Sequence, residues 1–152
     1  GHQQGRRSGT EPTALIIGLG AAAEAAAQYD GSARLSALRD RLYDGLRRSL
    51  GDDIVLLGHP TLRLPNTLCV GFRGRIGAEV LAACPEICAS TGAACHSGRR
   101  ERSATLAAMN VPEDIAFGAV RFSVGRHTTE QEIDSAVGQL VAAVSSICTA
   151  ES

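Results

Sequence analysis

Ala119-Val120-Arg121-Phe122-Ser123-Val124 is followed, across Gly125-Arg126-His127-Thr128, by Thr129-Glu130-Gln131-Glu132-Ile133. The first run alternates. Val120, Phe122 and Val124 share one face, and Arg121 and Ser123 take the other, the pattern of a half-buried strand. Thr129-x-x-Glu132 is a capping box, in which each side chain satisfies a backbone amide that the new helix leaves unpaired. Beyond it, Ile133, Val137, Leu140, Val141 and Val144 form one apolar stripe. A strand with one wet face therefore runs into an amphipathic helix.

Working outward, Thr67 to Phe72 alternates in the same way, with Leu68, Val70 and Phe72 on the core face. Leu35, Leu38, Leu42, Leu46 and Leu50 recur at steps of three and four, and arginines cover the opposite side. Gly51 ends that helix, Ile54 to Leu57 reads as a short strand, and Gly58-His59-Pro60 turns. A helix is expected over 78–84, before Pro85, and a further short strand at Ile87-Cys88-Ala89. Ser103 is positioned to cap a short helix to Met109, and Pro112 opens another turn. Near the start, an Ala-rich helix is expected over 12–28, capped by Thr10 or Thr13, with Leu15, Leu19 and Ala22 or Ala23 on one face. Few strands in irregular order among helices predict an α+β fold, a small sheet covered by helices, rather than a doubly wound sheet.

Composition narrows function. The 152 residues suit one core, and the net charge of −1 argues against nucleic acid or a polybasic membrane surface. All 15 basic residues are Arg, so lysine chemistry is excluded within this chain. No apolar run approaches a membrane span, and the first residues lack the apolar stretch of a signal peptide. The start at Gly1 rather than Met points to a processed chain or a piece of a longer one. An odd count of five Cys without a secretory signal predicts reduced thiols and a cytoplasmic location.

Cys95 lies in Ser90-Thr91-Gly92-Ala93-Ala94-Cys95-His96-Ser97-Gly98, among small and polar residues. Arg99, Arg100, Arg102 and His96 favour its thiolate. Locally, a reactive thiol and an inert loop thiol are both open. Cys69, Cys84 and Cys148 read as small buried hydrophobes. Cys84, Cys88, Cys95 and His96 admit a metal reading, although their spacing departs from paired C-x2-C sites, and no metal is expected. Arg121 faces away from the core residues of its strand, where it can fork onto a carboxylate or simply meet water. Gly5-Arg6-Arg7-Ser8-Gly9-Thr10 offers amides and a hydroxyl before a helix, the makings of an anion site, though glycine loops before helices are common. His2, His59 and His127 show no evident partner in the sequence.

Taken together, Gly5-Arg6-Arg7-Ser8-Gly9-Thr10-Glu11, Arg63-Leu64-Pro65-Asn66-Thr67, the stretch around Cys95, Val120 to Arg126 and Thr128-Thr129-x-x-Glu132-Ile133-Asp134 resemble the C-terminal part of a NifS/IscS-like cysteine desulfurase. These are pyridoxal-phosphate-dependent enzymes of aminotransferase class V, a branch shared with selenocysteine lyases, which the Ala93-Ala94-Cys95-His96-Ser97 stretch also resembles. The resemblance implies that Cys95 is the nucleophile that takes sulfur as a persulfide, that Arg121 grips the substrate carboxylate, and that Thr10 reaches the cofactor phosphate of a partner subunit. It implies pyridoxal 5'-phosphate as cofactor and L-cysteine or L-selenocysteine as substrate. It also implies a sulfur acceptor or scaffold protein, a homodimer, and a place in iron-sulfur cluster assembly. Residues 1–28 would be a loop and connecting helix from a larger domain, and 29–152 the small C-terminal domain of a fold-type I enzyme. The lysine that anchors the cofactor is absent, so the chain alone is expected to be inactive. A non-catalytic sulfur-carrying module is the rival reading.

Overall fold

The computed structural model describes residues 4–6, 8–91 and 103–149, the side chains of Cys148 and Thr149 excepted. The chain forms two compact units, Gly1–Gly31 and Ser32–Ser152.

The first unit holds α1 (Thr13–Ala27). Its N-cap is Pro12, without a side-chain capping bond, so neither Thr10 nor Thr13 caps the helix as expected. The Thr13 hydroxyl instead faces the carbonyl of Glu11. The face that carries Leu15 and Leu19 is not buried: α1 buries no residue, and the two are 73% and 71% exposed. Only Thr13 and Glu24 of its side chains are polar, so the helix is apolar on every side and has no single stripe to bury.

In the second unit the elements run α2 (Ser32–Leu50), a 3-10 turn (Gly51–Asp53), β1 (Ile54–Leu56), β2 (Thr67–Phe72), α3 (Gly77–Ala82), α4 (Ala104–Ala108), α5 (Glu113–Ala116), β3 (Ala119–Ser123) and α6 (Glu130–Thr149). The three strands form an antiparallel sheet with β2 at the centre, and the α+β expectation holds. Ile54 lies opposite Phe72, Val70 opposite Val120, and Leu68 opposite Phe122. These side chains line one face. Leu38, Leu42 and Leu46 of α2 and Ile133, Leu140, Ala143 and Val144 of α6 complete the core with them. The two long helices come close at Gly45, where a Cβ would sit 2.8 Å from Val137 Cγ2. At their margin the Arg41 guanidinium forks onto Asp134, Nε to Oδ1 and Nη2 to Oδ2, both at 2.7 Å. The capping box forms as read: the Thr129 amide and hydroxyl donate to Glu132 Oε2, and the Glu132 amide donates to Thr129 Oγ1.

Among the described residues the opposite, outer face of the sheet is only partly covered. A small cluster of Leu57, Leu106, Ile115, Ala116 and Ala119 packs there, joined by Val55 and Cys69. Phe72 donates its amide to the Gly118 carbonyl at 3.0 Å, and a Cβ on Gly118 would fall 2.0 Å from the Phe72 carbonyl oxygen. Beyond this cluster the outer face ends in Arg121 and Ser123, both exposed.

Several boundaries depart from the sequence reading. The strand expected at 54–57 ends at Leu56, and the helix expected over 78–84 is Gly77–Ala82. Ile87-Cys88-Ala89 forms no strand. The Ile87 amide closes onto Cys84, continuing the turn that follows α3, and pairing begins only at Ser90, which bridges Arg121. Ser103 makes no side-chain capping bond to α4.

Three outcomes are expected. Leu46→Ala empties a fully buried site and should cost about 2–5 kcal/mol in a denaturant titration. Gly118→Ala forces backbone apart and should cost about 1–3 kcal/mol in the same titration. Hydrogen bonds from Thr129 hold Glu132, and the Arg41 fork holds Asp134, below the usual carboxylate range. Their contribution to stability is complete above that range and lost as pH falls through the lowered values. The melting temperature of a Glu132→Gln, Asp134→Asn double variant should therefore vary less with acid than that of the parent chain.

Candidate functional site

The site is built on the open part of the outer sheet face. Alternation along β3 sends Val120 and Phe122 inward and leaves Arg121 outward. Its direct neighbour on β2 is Cys69. On its other side Arg121 exchanges two backbone hydrogen bonds with Ser90, the amide of Ser90 donating at 3.1 Å and that of Arg121 at 2.7 Å. With its own amide and carbonyl turned toward Ser90, Arg121 forms a non-hydrogen-bonded pair with Cys69, the pairing in which side chains stand closest. Among the described residues no carboxylate lies within ion-pair reach of the Arg121 guanidinium.

Cys69 is half-buried rather than the buried hydrophobe expected, on the outer face that the alternation of β2 assigns it. Burial pushes its thiol up, while Arg121 and then Arg63 pull it down. Cys84 is the small buried hydrophobe expected of it. Cys88 is exposed.

The turn between β1 and β2 supplies the neighbouring wall. His59, which showed no partner in the sequence, is its hub: Nδ1 accepts the amides of Thr61 and Leu62 at 3.1 and 2.9 Å. Arg63 closes the turn, donating Nε to the His59 carbonyl at 2.9 Å and Nη2 to the Leu57 carbonyl at 2.8 Å. Sequence reasoning missed this arrangement, because the clamp runs from a side chain to backbone carbonyls that carry no residue identity. The one signal was a His-Pro turn four residues before an arginine.

Of the residues expected to act, Arg121 stands on this face. Thr10 belongs to the other unit, is exposed, and lies just ahead of α1 between left-handed Gly9 (φ 89°) and Glu11. Cys95 and His96 lie outside the described residues. The Arg121 guanidinium, without a carboxylate partner among the described residues, suits the carboxylate of an amino acid.

Residues 1–136 match the aminotransferase class-V family, and the chain belongs to it. It is 40% identical over 144 residues to the human cysteine desulfurase, covering 93% of this chain and 31% of that protein. Identity to the cysteine desulfurase NifS of Azotobacter vinelandii is 43% over 145 residues, 92% of this chain and 36% of the relative. The chain thus spans about a third of the length of these relatives. A solved structure described as a NifS-like protein superposes with a TM-score of 0.80 at 30% identity, over 95% of this chain and 37% of the other. No helix among the described residues is long and apolar enough to cross a membrane.

Exposure orders the described thiols. Iodoacetamide should modify Cys88 first, Cys69 more slowly and Cys84 last, and peptide mass mapping of the folded chain checks that order.

Proposed function

We propose that this chain supplies the carboxylate grip and the sulfur-accepting thiol of a pyridoxal-phosphate-dependent cysteine desulfurase. The observation that carries this reading is the exposed Arg121 guanidinium, fixed on a strand whose inward side chains are core and left without a carboxylate partner among the described residues. The family relationship supports it.

In this reading Arg121 holds the α-carboxylate of L-cysteine through two parallel hydrogen bonds and so orients the substrate. Cys95 acts as a thiolate. It forms an S–S bond with the substrate sulfur as the substrate Cβ–S bond breaks, and the electron pair of that bond stays on the amino acid, which takes up a proton and leaves as L-alanine. The sulfur remains on Cys95 as a persulfide for an acceptor thiol on a sulfur-carrying or scaffold protein. Pyridoxal phosphate, when bound, supplies the electron sink for this step. Thr10 would hold its phosphate, across a dimer of the complete enzyme. The anchoring lysine comes from outside these 152 residues, which contain none. Residues 1–28 then connect to the larger domain and 29–152 form the small one. L-selenocysteine offers the same carboxylate and the same leaving geometry. The Cys95-His96-Ser97 run favours it as a second substrate.

Turnover of L-cysteine and L-selenocysteine by the complete enzyme tests the reading. Cys95→Ala should abolish persulfide formation. Arg121→Gln should raise KM about tenfold or more, as expected for a lost charge-assisted fork. Desulfuration that persists undiminished in Cys95→Ala would overturn the nucleophile assignment. The 152-residue chain alone should turn over neither amino acid.

A further inference from the structure

Arg63 is the one cation beside Cys69 to which the proposed reaction gives no role. Its Nε and Nη2 are committed to the backbone of its own turn, which fixes where its charge sits. Arg63 and Cys69 line a common cavity of about 220 Å³, together with Leu57, His59, Leu64 and Thr67. Cys69 is also the cross-strand partner of Arg121. One small side chain thus lies beside two guanidinium groups that come from different elements. Arg39, Arg41, Arg47 and Arg73 each pair with a carboxylate, but among the described residues neither Arg63 nor Arg121 does. Two like charges held near one point without a counter-charge make a local positive potential, and a small anion relieves it.

We propose that Arg63 and Arg121 together form an anion site beside Cys69, in which Arg121 grips a small carboxylate or oxyanion and Arg63 adds a second, fixed positive charge that strengthens the grip. The site rests on the reading of Arg121 as a carboxylate grip only for its natural ligand, the α-carboxylate of the amino-acid substrate. Arg63 is then a positioning and selectivity residue. It favours the acid over its amide or ester without forking onto it, because two of its nitrogens already hold the turn. The Cys69 thiol reports on the site, since both guanidinium groups oppose the effect of burial on it.

The test uses the 152-residue chain and inorganic sulfate, with chloride at matched ionic strength as control. The readout is the rate at which iodoacetamide alkylates Cys69, followed by mass on the tryptic peptide that carries it, Leu64 to Arg73 or, in Arg63→Met, Ser49 to Arg73, neither of which holds another cysteine. Sulfate should slow the reaction in a saturable way, and chloride should not. Arg63→Met should weaken the apparent sulfate affinity about fivefold, as should Arg121→Met, the scale of a lost charge contact at a partly exposed site. Arg63→Lys keeps the charge and loses the planar clamp, so it should restore most of the affinity. Equal effects of sulfate and chloride would overturn the proposal. So would full sulfate affinity in Arg63→Met, or an Arg63→Lys variant that melts like the parent chain yet binds no better than Arg63→Met, which would make Arg63 a turn clamp alone. If Arg63→Met fails to fold, the Arg63→Lys and Arg121→Met pair decides. No turnover enters this measurement, so failure of the sulfur-transfer reading leaves it untouched, and its own failure leaves the Cys95 assignment standing.

Discussion

The register between β2 and β3 is the constraint on which the rest of this unit depends. Leu68, Val70 and Phe72 on one strand and Val120 and Phe122 on the other share one buried face. Slipping either strand by one residue would turn that whole set toward water and drive Arg121 into the core, where an unpaired guanidinium is very costly. The register is therefore held by the hydrophobic set, and the position of the guanidinium follows from it. Glycine adds to this restraint. Gly71 lies against Ile115, and Gly118 lies against the Phe72 backbone, so α5 seats directly on the sheet and fixes the end of β2 from the outer side.

The helical layer answers to the same sheet. α2 and α6 cover its inner face and touch each other at a glycine, which lets their axes approach where a larger residue would wedge them apart. The Arg41–Asp134 fork at their margin is exposed and contributes alignment more than depth of stability. Arg34 adds a similar restraint, donating to the backbone carbonyls of Arg126 and Thr128 just ahead of α6. These contacts hold the loop that runs from β3 to the capping box, so the strand bearing Arg121 is restrained along both of its neighbours and at its exit.

Much of this was legible from periodicity. The leucine steps of α2, the alternation of β2 and β3, and the Thr129–Glu132 box each repeat a local rule, and each formed where the pattern put it. The outward aim of Arg121 followed from the same alternation. Elements that depend on partners were less legible. The strand expected at 87–89 found a pairing partner only at Ser90, because the chain before it was still closing the turn after α3. α1 is apolar all round, and a stripe cannot be read from a surface that has no polar side. The face of Cys69 followed from the alternation, but its neighbour did not, and only the cross-strand register showed that it stands beside a charged residue. His59 and Arg63 were missed because their partners are backbone groups, amides for His59 and carbonyls for Arg63.

The alternation along β3 has an evolutionary consequence. Even-numbered positions 120 and 122 carry the cost of folding, while odd-numbered 121 and 123 meet whatever approaches from solvent. The two sets interleave along a single strand but take opposite faces of the sheet. Mutations at the odd positions can drift toward a new ligand while the even positions keep the fold intact. A scaffold wired in this way separates robustness from innovation at the spacing of one residue.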